Sequence, residues 1–240
     1  MTLLLFVLIN AFAGFFQGIV GFGQGLIASP LSLTILDKGT VLTALMMAGL
    51  VLNAILTRKV AEPLDKKVAV PLLVGSLLGM PFGVMVLKIL PIDVLKVVVG
   101  SLSIVLTLAT LFVKIRIHHM ARLTPAVGFL CGVLQTSTGM PGPPAVLLLA
   151  GSNTPKNSMR KILFWFFFWT SLVSLPLYAV TGVLTVRGLI FGLCIVPFVI
   201  VAGHYGNRAA DLIPQRWYRT LALGTVSLAG LFVIYSGLSA

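Results

Sequence analysis

Long runs of apolar residues, separated by short polar connections, make up most of this 240-residue chain. Six of these runs approach the roughly 20 residues that a helix needs to cross the hydrocarbon core of a membrane. The predicted spans are residues 39–57, 68–87, 94–113, 161–184, 186–203 and 217–237. The pattern therefore predicts an all-α integral membrane protein.

Two further apolar regions carry clusters of glycine and proline near their centres. GIVGFGQG interrupts residues 2–36, and QTSTGMPGPP interrupts residues 124–150. Glycine and proline at this density break a helix, and broken backbone inside a membrane is tolerated only where protein or a water-filled cavity supplies hydrogen-bond partners. We therefore expect each region to form two half-helices that meet inside the membrane.

The two interrupted regions also resemble each other. A shift of 114 positions relates six pairs, namely Gly14 and Gly128, Phe15 and Phe129, Gly18 and Gly132, Gly25 and Gly139, Pro30 and Pro144, and Leu33 and Leu147. Farther along, a shift of 123 positions relates Gly83 to Gly206, Pro91 to Pro214 and Lys96 to Arg219. This ordered spacing predicts a duplication, with residues 1–116 and 117–240 as two repeats of one membrane domain.

The basic residues indicate how the two repeats are oriented. If all eight regions crossed the membrane once, the two sides would hold eight and nine basic residues. If each interrupted region instead enters and returns on one side, thirteen lie on one face and four on the other, as the positive-inside rule requires. The thirteen are Arg58, Lys59, Lys66, Lys67, Lys114, Arg116, Arg122, Lys156, Arg160, Lys161, Arg208, Arg216 and Arg219. We therefore predict two inverted repeats, each with a re-entrant broken helix followed by three transmembrane helices, an architecture of secondary transporters.

Composition excludes several other classes of protein. Charged residues are 9% of the chain, against roughly 25% in soluble domains. The formal net charge of +12 comes from residues that flank apolar runs, so it indicates membrane orientation and no nucleic-acid partner. Cys131 and Cys194 both lie in apolar stretches, and the spans contain no metal-ligand spacing and no catalytic constellation. We expect no enzyme activity, no metal site and no cofactor.

The motifs that interrupt the two regions carry a family resemblance. GFGQGLIASP and GMPGPPAVLLL resemble the paired glycine- and proline-rich motifs of the sulfite exporter TauE/SafE family. The second half continues in a similar order with Arg160, a run of Phe and Trp, Gly203, Gly206, Pro214 and Arg219. The similarity covers essentially the whole chain, with departures at Gln24 and at Thr138–Gly142. It implies a multi-pass protein of the cell inner membrane that exports sulfite, sulfoacetate or a related sulfur compound.

Polar groups around the two interruptions are the candidate substrate-binding residues. Half-helices that restart near Gly25 and Gly139 would point their N–H groups and positive dipole ends at an anion. Hydroxyl and amide groups nearby can donate hydrogen bonds to sulfite or sulfonate oxygens. The candidates are Gln17, Gln24, Gly25, Ser29, Gln135, Thr136, Ser137, Thr138 and Gly139. Asn53 is a further candidate, for which interhelical hydrogen bonding is an equal alternative.

The predicted function is secondary transport, in the direction of export, of sulfite or an organosulfonate such as sulfoacetate. A channel-like facilitator of small anions or neutral solutes is the alternative. No carboxylate lies at the centre of a span, where a proton relay would place one. The expected partners are the small anionic substrate and the lipid bilayer, and homo-oligomerisation is left open.

Overall fold

The computed structural model describes residues 1–91, 94, 97, 98, 100, 101, 104, 105, 120–152 and 154–238. These ranges contain helices and no β-strand, which confirms the all-α prediction. The helices are α1 (Thr2–Val20), α2 (Gln24–Ser32), α3 (Lys38–Lys59), α4 (Lys66–Ile89), α5 (Met120–Thr138), α6 (Gly142–Gly151), α7 (Lys156–Thr181), α8 (Val186–Asp211) and α9 (Gln215–Leu238). The predicted span at 94–113 lies largely outside the described residues.

Five helices in the described part of the chain are long and apolar enough to cross a membrane: α1, α3, α4, α7 and α8. Four of them, α3, α4, α7 and α8, correspond to the spans predicted at 39–57, 68–87, 161–184 and 186–203. The predicted span 161–184 extends three residues past the end of α7. The span predicted at 217–237 falls within α9, whose apolar part is Thr220–Tyr235. The first interruption separates a long helix from a short one, because α1 has 19 residues and α2 has nine.

Glycines in left-handed conformation end the helices at both interruptions. The α1 helix ends at Gly21, whose φ is 90°, and α2 begins after Gly23, whose φ is 115°. The α5 helix ends at Thr138, and Gly139 follows it with φ 72°. Glycine adopts these angles without the steric penalty that other residues meet, so it ends a helix abruptly.

The most extensive helix contacts pair α1 with α8 and α4 with α5. In each pair the helices run in the same direction and glycines bring the two backbones together. A Cβ atom on Gly18 would overlap the carbonyl oxygen of Gly203, and one on Gly206 would overlap the carbonyl oxygen of Phe15. Small residues of this kind allow close packing of membrane helices.

The pairing of α4 with α5 repeats these contacts. A Cβ atom on Gly132 would overlap the carbonyl oxygen of Ser76, and one on Gly79 would overlap that of Phe129. Phe15 and Gly18 of α1 correspond to Phe129 and Gly132 of α5, which is a shift of 114 positions. The partner residues of α8, at 203 and 206, correspond to residues 76 and 79 of α4, which is a shift of 127 positions. The second shift differs from the 123 that the sequence suggests by four residues, about one helical turn.

Hydrogen bonds from lysines establish the directions of the remaining helices. Lys161 Nζ donates to the carbonyl oxygen of Thr57 at 2.7 Å, which places the start of α7 beside the end of α3. Lys38 Nζ donates to the carbonyl oxygen of Leu87 at 3.1 Å, which places the start of α3 beside the end of α4. The α3 helix therefore runs opposite to α4 and to α7.

A substitution at Gly79 tests the close packing of α4 on α5. Gly79→Val would place side-chain atoms against the carbonyl of Phe129, and we expect a loss of stability of about 1–3 kcal/mol, as for other overpacked sites. Gly224→Val is the matched control, because a Cβ atom at Gly224 has no neighbour within 4 Å among the described residues. Thermal unfolding of the two purified variants in detergent checks the prediction, and equal melting temperatures would contradict it.

Candidate functional site

A cavity of about 40 Å³ lies where the two interruptions meet α3 and α7. A buried water needs about 10–15 Å³ of such a volume, so the cavity has room for a few water-sized groups. The side chains in its wall are uncharged. The polar ones are Gln17, Gln24, Asn53, Gln135 and Ser171.

The structure brings five of the nine predicted site residues together in this wall. They are Gln17, Gln24, Gly25, Gln135 and Gly139. Although they come from sequence positions more than a hundred residues apart, the two interruptions place them side by side. Gln135 Nε2 points at the sulfur of Met46, 2.9 Å away, and a thioether is a weak acceptor.

The other four predicted residues, all hydroxyl-bearing, lie outside the cavity wall. Their hydroxyl groups donate to backbone carbonyl oxygens: Ser29 to Thr138 (2.7 Å), Thr136 to Met80 (2.7 Å), Ser137 to Val133 (2.6 Å) and Thr138 to Leu134 (2.8 Å). Each hydroxyl hydrogen therefore serves a helix carbonyl. In this arrangement these groups have no hydrogen left to donate to an anion.

Gln17 is fixed at the centre of a network of amide groups. Its Nε2 donates to Asn53 Oδ1 at 2.6 Å, and its Oε1 accepts the backbone N–H of Gln24 at 3.0 Å. Asn53 Nδ2 in turn donates to the carbonyl oxygen of Gly49 at 2.7 Å. Asn53 therefore makes the interhelical hydrogen bond and lines the cavity as well.

The start of α2 presents unpaired donors at the cavity. Gln24 is only 3% exposed, and its Nε2 has no acceptor among the described residues. The first helical hydrogen bond of α2 is that from Ile27 N to Gly23 O. The backbone N–H groups of Gly25 and Leu26 precede that bond and find no acceptor in the described part of the chain. They belong to the set of N–H groups that every helix start leaves unpaired.

The start of α6 presents fewer donors. Gly142 contributes a backbone N–H in the cavity wall, but Pro143 and Pro144 have no N–H. The half-helix predicted to restart near Gly139 begins three residues later, at Gly142, because Gly139 directly follows the end of α5. The two half-helix starts are therefore unequal, and α2 carries most of the available hydrogen-bond donors.

Donors cover the carbonyl end of α1. Arg160 Nη2 donates to the carbonyl oxygen of Gly18 at 2.8 Å and to Asn207 Oδ1 at 2.6 Å, and Tyr218 Oη donates to the carbonyl oxygen of Val20. Arg160 is 2% exposed, so its charge lies inside the protein at the negative end of the α1 dipole. This position offsets the negative potential that the free carbonyls would otherwise direct at the cavity.

The carbonyl end of α5 is covered in a similar way. Tyr178 Oη donates to the carbonyl oxygen of Thr136 at 3.0 Å, and Ser29 Oγ donates to that of Thr138. At both interruptions, then, side chains donate to two of the last carbonyls of the helix, while residues with unpaired N–H groups line the cavity. The arrangement suits a ligand that accepts hydrogen bonds and carries negative charge.

The two interruptions touch each other because α5 extends about one turn farther past its matched phenylalanine than α1 does. Six residues separate Phe15 from Gly21, but ten separate their counterparts Phe129 and Gly139, an addition of about one turn or 6 Å. The extra turn brings the carbonyl oxygen of Gly139 against Gly25, where a Cβ atom would overlap it. The missing side chain of Gly25 is therefore used for packing.

Two parts of the cavity wall, Ser171 and the backbone of Gly142, were not among the predicted site residues. A polar residue inside a transmembrane helix indicates a possible functional site. Ser171, however, follows a run of Phe and Trp that is more typical of a surface packed against lipid or other helices. Only the packing of α7 against the interruptions places it in the wall.

The starts of α2 and α6 give a matched pair of substitutions. Gly25→Ala should lower stability by about 1–3 kcal/mol, because the methyl group collides with the Gly139 carbonyl. Gly142→Ala should be tolerated, because its methyl group would meet the Phe22 ring at 3.4 Å, an ordinary contact. Thermal unfolding in detergent measures the stability of both variants. A Gly142→Ala variant that is less stable than the Gly25→Ala variant would show that the two interruptions do not meet in this way.

Comparison with known protein families gives one match. The model described as "Sulfite exporter TauE/SafE" matches residues 6–233, nearly the whole chain. The chain has no significant match among curated proteins or among solved structures.

Proposed function

The chain belongs to the sulfite exporter TauE/SafE family, a family of membrane transporters, and from this premise we propose that it exports sulfite across the cell inner membrane. The observation that carries the proposal is the polarity of the two interruptions. Their carbonyl ends are covered by Arg160, Tyr218, Tyr178 and Ser29, and their N–H ends face the cavity. A site built this way offers N–H donors to an anion and places no carboxylate in the part of its wall that the described residues form.

The size of the cavity favours sulfite over larger members of the substrate class. Sulfite has four non-hydrogen atoms, which matches a volume of about 40 Å³ that holds a few water-sized groups. Sulfoacetate has twice as many atoms and would require the walls to move apart. We therefore place sulfoacetate second among the proposed substrates.

We further propose that residues 1–116 and 117–240 form two inverted repeats. The support comes from the repeated contacts: α1 packs on α8 as α5 packs on α4, with glycine against carbonyl oxygen at matching positions. In this layout α1 and α2 enter and return at one end of the bundle, and α5 and α6 enter and return at the other. The boundary between the repeats lies outside the described residues.

The basic residues support the same layout. Lys161 and Lys156 hold the start of α7 against the ends of α3 and α8, where Lys156 Nζ donates to the carbonyl oxygen of Ala210 at 2.9 Å. With the helix directions given above, eleven basic residues of the described chain lie toward that end of the bundle. Three lie toward the opposite end, and they are Lys38, Lys88 and Arg187. By the positive-inside rule, the first end faces the cytoplasm.

Cysteine labelling tests the orientation. In a background with Cys131→Ala and Cys194→Ser, single cysteines at Lys66 and Lys156 should react with a membrane-impermeant maleimide only from the cytoplasmic side. A cysteine at Arg187 should react only from outside. Labelling of positions 66 and 156 from opposite sides would contradict the inverted-repeat layout.

Transport by reconstituted protein tests the function. Proteoliposomes should show saturable sulfite flux, and Gln24→Leu should raise the half-saturation concentration about threefold to tenfold, because it removes a hydrogen bond worth about 0.5–1.5 kcal/mol. Gln215→Leu is the control, since that amide lies outside the cavity and accepts the backbone N–H of Lys156. Flux that does not saturate would favour the channel-like alternative, and an absence of sulfite flux would contradict the proposed substrate.

A further inference from the structure

We propose that the cavity selects singly charged oxyanions, so that sulfite is bound and moved as hydrogensulfite and not as the sulfite dianion. This inference rests on the proposed function, because it specifies the ionic form of that substrate. Hydrogensulfite loses its proton near neutral pH, so both forms are available to a transporter in the cell.

The charge available to an anion in the cavity is small. No Asp, Glu, Lys, Arg or His lies in the cavity wall that the described residues form. The positive potential comes from the starts of α2 and α6, and a helix start is equivalent to about half an elementary charge. Two starts supply at most about one unit, because Pro143 and Pro144 leave α6 with fewer N–H groups than α2, and a second negative charge stays uncompensated.

The nearest buried cation is already engaged elsewhere. Arg160 lies beyond Gly21 and outside the cavity wall, and its guanidinium donates to Gly18 O and Asn207 Oδ1 at the negative end of α1. Its positive charge therefore offsets the partial negative charge of that helix end. The positive charge that an anion in the cavity meets is therefore close to that of the two helix starts.

The other titratable groups near the interruptions also add no charge to the wall. From α7 and α9, the hydroxyl groups of Tyr178 and Tyr218 donate to backbone carbonyls. From α5, the buried Cys131 packs in the apolar core and not in the cavity wall. The described parts of α1, α2, α3 and α6 contribute only uncharged groups to the wall. Any pH dependence of binding should therefore come from the ligand.

An unpaired donor in the cavity wall supports a ligand at this position. Gln24 is almost fully buried, and its Nε2 has no acceptor among the described residues although it belongs to the cavity wall. A buried amide without a partner is costly unless a ligand or water completes it. An oxyanion supplies acceptors for this amide and for the N–H groups of Gly25 and Leu26. A second negative charge on that anion would gain no counter-charge, and burying an uncompensated charge is expensive.

Binding measurements at two pH values distinguish the two ionic forms. The purified protein would be titrated at about pH 6 and about pH 8, with oxygen excluded, against sulfite, methanesulfonate and sulfate. Methanesulfonate is a monoanion and sulfate a dianion across this range, and each has five non-hydrogen atoms, so they differ mainly in charge.

We expect the apparent Kd for total sulfite to rise roughly tenfold from the lower to the higher pH, because the monoanion fraction falls. The Kd for methanesulfonate should change little, and sulfate should bind at least about tenfold more weakly than methanesulfonate at both pH values. A sulfite Kd that falls as pH rises, or sulfate binding as tight as methanesulfonate binding, would overturn the inference and leave the proposed function intact. If none of the three anions binds, the proposed function fails as well.

Two substitutions at one position separate charge from hydrogen bonding. Gln24→Lys adds a fixed cation beside the cavity, and we expect it to raise sulfate affinity relative to methanesulfonate by at least about tenfold. Gln24→Met removes the donor without adding charge, so it should weaken both anions by similar factors. Gln215→Lys adds the same charge outside the cavity and should leave the ratio unchanged. An unchanged ratio in a folded Gln24→Lys variant would contradict the inference, and the pH series on the unmodified protein remains decisive if that variant does not fold.

Discussion

Every helix interruption inside a membrane exposes backbone N–H and carbonyl groups that lipid cannot hydrogen-bond. In this protein the two kinds of group are treated differently. Arg160 and Tyr218 satisfy carbonyls at the end of α1, and Tyr178 and Ser29 satisfy those at the end of α5. The N–H groups at the start of α2 are left to the cavity. Because α7 and α9 supply three of these four donors, both helices help to satisfy the carbonyl groups at the interruptions. The proposed anion site consists of the N–H groups that are left without a protein partner.

Close backbone packing fixes the depth at which the interruptions meet. Glycine against carbonyl oxygen sets the register of α1 on α8 and of α5 on α4, so neither broken helix can slide along its partner without a collision. The register leaves α5 one turn longer than α1 beyond the matched phenylalanines. That turn brings Gly139 to Gly25 and closes the space between the interruptions to about 40 Å³. The size of the cavity is therefore a consequence of helix length and glycine position.

Much of this could be predicted from the sequence, since apolar runs and clusters of glycine and proline report directly on helices and their breaks. The limits are local. Ser137 and Thr138 have the right chemistry for an anion site, but a hydroxyl in a helix can donate to the carbonyl four residues earlier, and both do. The sequence alignment also pairs Gly139 with Gly25, whereas in the structure Gly139 follows α5 as Gly21 follows α1. The extra turn in α5 cannot be recognised in a sequence with so many small residues. Ser171 lines the cavity only because α7 packs against the two interruptions, and the sequence of α7 by itself does not predict that packing.

The pairing of α1 with α8 and of α4 with α5 has a consequence for biosynthesis. A membrane protein is made from its N-terminus, so α4 is already inserted when α5 emerges and finds its partner at once. The α1 helix precedes α2–α7 in the chain, whereas its partner α8 follows them. Until α8 is inserted, the glycine face of α1 that packs on it has only lipid or temporary neighbours to contact. The first interruption therefore gains its packing partner later than the second, and the proposed substrate site is complete only after α8 has been inserted.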